Sequence, residues 1–270
     1  MTVEGTTTAP AAGGDPSTVR GRPATALPGR PGVPFGRTLQ AELRKMVDTR
    51  ASRWMVIVMA ALAAVVPVAF VIWGPSEDDG FRSLLGYSTL PLTVLLPILG
   101  IMAVTAEWTQ RTGLVTFTVE PRRGRVVLAK ALAALLLALV VLVAAVLAAA
   151  GANLVGSTGE WDLTAAVGGG LTLALLILVL QGVAFGLLFL NTPAAIVSVL
   201  VLPSLWAIAA QISNSLASVG EWMDLGSVTA PLLEGQMQGQ YWAQLGTGVA
   251  AWVLLPLVVG TYRVLHREVK

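Results

Sequence analysis

The chain has no cysteine in 270 residues, which excludes disulfides, thiolate nucleophiles and cysteine-ligated zinc or iron–sulfur centres. A single histidine, His266, removes most zinc and haem schemes as well and is read as a solvated tail residue. Charge is also scarce. Only 12% of residues are Asp, Glu, Lys or Arg, against 55% apolar, where a soluble domain carries about 25% charged residues. Mean hydropathy is +0.76. So few charged side chains cannot cover the surface that a chain of this size exposes to water, and part of the solvent is therefore lipid. The sequence pI near 9.3 raises nucleic acid as a partner, a reading that depends on where the charges sit.

A helix that crosses a bilayer needs about 20 mostly apolar residues. Stretches free of Asp, Glu, Lys and Arg run over 54–76, 83–106, 131–159, 163–220 and 235–262. Four fit one helix each. The 58-residue fourth stretch contains Asn191-Thr192-Pro193, a turn signal whose proline disfavours helix at the preceding residue, and it divides in two. The expected fold is therefore an all-α polytopic membrane protein of six spans, near 54–73, 86–105, 128–150, 166–190, 194–211 and 243–262.

An even number of spans puts both ends on one side. Sixteen of the 17 basic residues fall on that side and only Arg82 on the other, where Glu77, Asp78, Asp79, Glu160, Asp162, Glu221, Asp224 and Glu234 lie. The positive-inside rule then predicts cytoplasmic termini. Counted by side, the net charge of +2 separates into 16 minus 7, or +9, inside and 1 minus 8, or −7, outside. The basic excess is a membrane-topology signal, and no nucleic acid is needed to explain it. Residues 1–34, rich in Thr, Gly, Pro and Ala, are expected to be a disordered cytoplasmic tail. They lack the apolar core of a signal peptide, so the first span is expected to act as an uncleaved anchor. Trp54, Trp73, Trp108, Trp161 and Trp242 sit at span ends, as an aromatic belt does.

Residues 35–270 form the expected six-span transmembrane domain. At its start, over 35–53, Phe35, Leu39, Leu43 and Met46/Val47 recur at helical spacing while Arg37, Glu42, Arg44, Lys45 and Asp48 fill the other face. The pattern predicts an amphipathic interface helix. Its basic face suits either anionic headgroups or a cytosolic partner. The connection over 106–127 is too long for a tight turn. It reads Glu107-Trp108-Thr109-Gln110-Arg111-Thr112-Gly113, a half-apolar middle, then Pro121-Arg122-Arg123-Gly124-Arg125 ahead of Lys130. Two readings stay open for it: a basic topology determinant, or a short helix lying along the inner face.

That order of Glu, a polar run with Gly, a half-apolar stretch, Pro, Arg and then Lys opening a hydrophobic helix resembles the permease subunits of type-2 ATP-binding cassette (ABC) exporters. Glu42-Leu43-Arg44-Lys45 beside the first span is similar to that family's N-terminal connecting helix. The resemblance spans residues 35–270 and departs at Thr112-Gly113, where the family often has Gly-Thr. It implies a dimer of permeases, a second copy or a paralogue, served by a cytosolic ATP-binding cassette subunit. That subunit would dock on Glu42, Lys45, Glu107, Arg111, Gly113, Pro121, Arg122 and Arg123. It also implies extracellular re-entrant helices over 212–242, a segment that mixes Trp222, Leu225, Leu232 and Tyr241 with Glu221, Asp224 and Glu234.

The source of energy is legible by elimination. Apart from Lys130 at the mouth of the third, the spans hold no Asp, Glu, Lys, Arg or His, the groups with which proton- and sodium-coupled carriers work. No lysine follows glycine in a Gly-x-x-x-x-Gly-Lys pattern, so the chain has no P-loop. It is expected to be no enzyme and to hold no cofactor, ATP and Mg belonging to the partner. Within the spans the polar residues noted are Thr89, Thr93, Thr172, Gln181, Ser198, Ser204 and Gln211, a lining suited to hydrophobic or amphipathic cargo. Gln181 beside the Gly-x-x-x-Gly of Gly182 and Gly186 suits either helix packing or a pathway. Pro67, Pro91, Pro97, Pro203 and Pro256 are hinges or static kinks. The expected function is therefore the plasma-membrane subunit of an ATP-driven efflux system. The alternative is a non-transporting immunity or regulatory protein that binds a ligand in the membrane.

Overall fold

The computed structural model describes residues 33–74, 80–110, 122–156 and 159–266, without the side chains of Ala207, Ala210, Gln211 and Asn214. Among the described residues the chain forms ten α-helices and no strand. They are α1 (Phe35–Asp48), α2 (Arg50–Trp73), α3 (Phe81–Thr109), α4 (Arg123–Gly156), α5 (Ala165–Phe189), α6 (Thr192–Ile212), α7 (Asn214–Met223), α8 (Leu225–Glu234), α9 (Gln240–Val249) and α10 (Leu255–His266). A π-helical turn at Ala250–Leu254 makes α9 and α10 one continuous run. Five helices are long and apolar enough to cross a membrane: α2, α3, α4, α5 and the run Gln240–His266. The chain is a helical membrane protein. The fifth of the six expected spans falls on α6, whose apolar stretch Thr192–Trp206 is shorter than these.

Caps explain where the helices begin. Thr49, extended at φ −73° and ψ 138°, accepts from the Ser52 N–H at 3.4 Å and starts α2. The expected 35–53 interface helix therefore stops at Asp48, and a separate helix begins at Arg50. Thr164 caps α5 by accepting from Val167 N–H at 3.3 Å. The chain breaks where the Asn-Thr-Pro signal predicts. Leu190 takes a left-handed conformation (φ 52°) after α5, and Asn191 accepts from Ala194 N–H at 3.0 Å to open α6. Ser213 and Asp224 do the same for α7 and α8. Each capped N–H would otherwise be unsatisfied. Pro256 cannot donate to the carbonyl four residues back, and the π turn immediately precedes it, a local widening of the kind that absorbs a lost helical bond.

Helix α5 is the axis of the bundle. It is apolar all round and buries Val167, Gly170, Ala174, Leu175, Ile177, Val179 and the run Gln181–Leu187, as a helix surrounded by others does. Its neighbours approach through glycine. A Cβ on Gly182 would strike the Pro97 carbonyl of α3, one on Gly100 the Val179 carbonyl, and one on Gly186 would sit 3.2 Å from Ile101. A Cβ on Gly260 of α10 would meet Leu187, and one on Gly170 would meet the Leu232 carbonyl of α8. Helix α2 is peripheral, with Trp54, Val65, Ile72 and Trp73 exposed on its outer side, the surface that lipid covers.

Over the expected 212–242 segment the structure shows two ten-residue amphipathic helices, α7 and α8. Helix α8 buries Leu225, Val228 and Leu232, three and four residues apart, against Ala174 and Ile177 of α5 and Leu245 and Val253 of the last run. The Thr247 hydroxyl donates to Trp222 O at 2.8 Å, and Trp252 Nε1–H donates to Met223 O. The segment is thereby tied to the helices that carry it.

Candidate functional site

Three elements meet at one end of the bundle, the end that holds the start of α4. Helix α1 turns Thr38, Glu42 and Met46 inward, four residues apart, and lies against α4 and α2. Glu42 was expected on the polar face of an interface helix. It is instead 4% exposed, and the reason is 88 residues away. Lys130 Nζ donates to Glu42 Oε2 at 2.7 Å and lies 3.1 Å from Glu107 Oε1. Lys45 Nζ completes the ring, 2.7 Å from both Glu42 Oε1 and Glu107 Oε1. Two ammoniums and two carboxylates alternate and cancel, which is the condition under which charge can be taken out of water. Lys130 was read as a topology residue at the mouth of a span. It is 5% exposed and joins α4 to α1 and α3.

The other expected coupling residues are dispersed. Arg123 Nη1 donates to Val264 O at 2.9 Å, tying the start of α4 to the end of α10, so its charge has a structural use. Arg125 donates to Val33 O at 3.1 Å, with its guanidinium carbon 6.0 Å from the centre of the Phe35 ring. Arg122 is exposed ahead of α4. Arg111, Gly113 and Pro121 lie outside the described residues. On the side of α1 away from the bundle, Arg37, Ala41, Arg44 and Asp48 are exposed. In sequence, the end of α3 at Thr109 and the start of α4 at Arg123 flank residues 111–121.

A second feature lies within the apolar helices. A cavity of about 530 Å³ lies between α3, α5, α6 and α8, with Leu85, Leu175 and Val199 among its apolar walls and Leu225 and Leu233 of α8 beside them. Gln181 lines it and is 2% exposed. Its Nε2 has no hydrogen-bond partner among the described residues. Its neighbours Gly182 and Gly186 are both at the α3–α5 crossing, so the Gly-x-x-x-Gly is a packing surface within the chain.

No family model matches the chain, and no curated protein matches it.

Polar contacts that the sequence did not expose tie the helices together. The Ser88 hydroxyl of α3 lies 2.6 Å from Ala63 O of α2 and 3.1 Å from Ala145 O of α4. Thr192 Oγ1 lies 2.7 Å from Thr105 Oγ1 and 3.2 Å from Thr109 Oγ1, joining α6 to the C-terminal end of α3. A threonine every four residues facing a helix N-terminus was the available signal for the second.

Lys45 is held above its ordinary pKa of 10.5. Partial burial pulls it down, and the hydrogen bonds and charges of Glu107 and Glu42 outweigh that pull. Raising the folded pKa favours folding while lysine is charged. The contribution is therefore complete below the unfolded value and disappears as pH rises through the folded one. Because the Lys45 side chain is 45% exposed, the effect is expected to be about 1 kcal/mol or less. Unfolding of wild-type protein and of Lys45→Met, followed in detergent, should show a constant difference from neutral pH to about pH 10 that narrows above 10.5. A difference that already narrows below pH 9 would show that Lys45 does not sit in the ring as a cation.

Proposed function

We propose that this chain is the membrane subunit of an ATP-driven exporter of hydrophobic or amphipathic molecules, of the type-2 ABC permease kind. In this reading α6 is the remaining span, giving six, and α7 and α8 re-enter the outer leaflet. Both termini are cytoplasmic, the protein resides in the plasma membrane, and two permeases pair with two ATP-binding subunits. The observation that carries the proposal is the charge ring. It makes the inner-face helix α1 move as one body with the inner ends of α3 and α4, the two helices that flank residues 111–121. A cytosolic motor seated on that face would pull directly on α3, which walls the membrane cavity. The absence of a P-loop in the sequence agrees with fuel supplied by another polypeptide.

Co-purification of tagged permease from its native host tests the reading: an ATP-binding cassette subunit should accompany it, and ATPase activity should be absent from the permease alone. Reversing the exposed charges in Arg37→Glu/Arg44→Glu should release that partner more readily as salt is raised, since rim charges set encounter rate and salt dependence. Arg123→Glu is unsuited to this purpose, because it also removes the contact to Val264. Retained ATPase stimulation by cargo in the Arg37→Glu/Arg44→Glu variant would overturn α1 as the docking surface. Isolation without any ATPase would favour the ligand-binding regulatory protein instead.

A further inference from the structure

We infer that the cavity between α3, α5, α6 and α8 binds a long anionic amphiphile, its acidic head at Arg82 and its body running inward to the carboxamide of Gln181. The inference names a ligand class for the exporter reading and rests on that reading only in calling the ligand cargo. Binding itself requires no ATPase.

The volume of about 530 Å³ suits a drug-sized or single-chain ligand, pockets for which span about 300–1,000 Å³. Most polar groups in the wall are already used. Thr89 Oγ1 donates to Leu85 O at 2.9 Å, Thr93 to Leu90 O at 2.7 Å and Thr229 to Leu225 O at 2.7 Å. Two remain. Among the described residues Arg82 is the one ionisable residue that lines the cavity, and its guanidinium has no carboxylate partner among them. Asp162 nearby receives the Arg82 backbone N–H at 2.8 Å, which caps the first turn of α3, and its side chain is not part of the wall. Gln181 is the other. A buried carboxamide without partners is costly unless something occupies it, and a carboxamide can both donate and accept.

Their separation sets the ligand's shape. Gly182 meets Pro97, and Pro97 follows Arg82 by 97 minus 82, or 15, residues of α3. At about 1.5 Å per residue the backbone at Arg82 and at Pro97, the level of Gln181, is about 22 Å apart along the helix. An extended chain bridges that distance and a compact ring system does not. Leu90 and Val94 of α3 and Leu200 of α6 line the cavity and are exposed. The cavity therefore opens on the flank of the bundle, where a molecule dissolved in the bilayer enters with its head at the outer end.

The test uses full-length protein in phosphatidylcholine nanodiscs, with 11-(dansylamino)undecanoic acid and its methyl ester as probes. The acid should bind saturably, and the ester about five-fold more weakly, the gap shrinking as salt is added. Arg82→Gln should abolish the preference for the acid, and Arg82→Lys should keep it. Gln181→Leu should weaken both probes about three- to ten-fold without lowering the melting temperature of the empty protein, since an unpartnered amide has been removed. Equal affinity for acid and ester in the wild type, or an unchanged preference in Arg82→Gln, would overturn the anionic head. Uptake indistinguishable from empty discs would overturn the site. Wild-type affinity in Gln181→Leu would remove Gln181 from it. Each of these outcomes leaves co-purification with an ATPase untouched, so the ligand class and the exporter reading can fail separately.

Discussion

Replacing Lys130 by methionine is expected to destabilise the folded protein by about 3–5 kcal/mol, the usual result of removing one partner from a buried ion pair. The methylenes are conserved in volume, so the loss comes from charge. With Lys130 gone, Glu42 and Glu107 face each other across the vacated position, each almost wholly buried, and Lys45 at the rim is left to neutralise both. Unfolding in mixed detergent micelles, followed by tryptophan fluorescence, gives the measurement. A second variant separates charge from packing. Lys130→Met combined with Glu42→Gln removes one adjacent pair and leaves Lys45 bonded to Glu107 at 2.7 Å. It should be more stable than Lys130→Met alone, a non-additive result that only neighbours in one network show. If Lys130→Met unfolds within about 0.5 kcal/mol of the wild type, the ring contributes no stability.

The ring also has a mechanical consequence. Membrane helices gain little from burying apolar surface against each other, because lipid is as apolar as leucine. Helix α1 is held to the bundle by Met46, Leu39 and Leu43 packed on the core and by the ionic ring, and of these the ring is the specific contact. Breaking the ring at Lys130 is thus expected to loosen α1 from α3 and α4 while leaving the α3–α5 crossing in place. If the exporter reading holds, ATPase activity of the assembled complex should persist in that variant while transport falls.

The sequence disclosed the five long apolar helices because hydropathy depends on composition over a window, which folding does not rearrange. The break at Asn191-Thr192-Pro193 was equally legible, since the turn, the cap and the proline are local. Ends were less so. Counting to the nearest charge measures depth in hydrocarbon, but a helix stops at a cap, and α4 runs from Arg123 to Gly156 where 128–150 was expected. The burial of Glu42 was missed for a different reason. Helical periodicity put Glu42 on the polar face of α1, and nothing local shows that Lys130 and Glu107 arrive to neutralise it. Charges that pair over 62 and 88 residues leave no pattern in one chain. The cavity was only half visible: Gln181 stood out as polar among apolar residues, whereas Arg82 was read solely as the exception to a charge rule.

Gly182 is a place where a single added carbon is expected to have a large effect. An alanine there would drive its Cβ into the Pro97 carbonyl of α3, an atom of backbone that no rotamer change can move aside. Overpacking of this sort costs about 1–3 kcal/mol, occasionally more, and valine at the same position should exceed alanine because a second branch meets the same wall. Proline at 97 aggravates the problem, as α3 has already lost one helical bond there and has less capacity to keep its ladder while bending away. The control is Gly151 on α4, where an added Cβ would meet no heavy atom within 4 Å. Gly151→Ala should be neutral or stabilising by up to about 1 kcal/mol, because glycine loses more freedom on entering a helix than alanine does. Parallel unfolding curves therefore decide the matter. Gly182→Ala falling well below the wild type while Gly151→Ala matches or exceeds it would establish close backbone approach at the α3–α5 crossing. Equal behaviour of the two would mean that the helices are farther apart than the structure places them, and that the Gly-x-x-x-Gly serves a surface outside this chain.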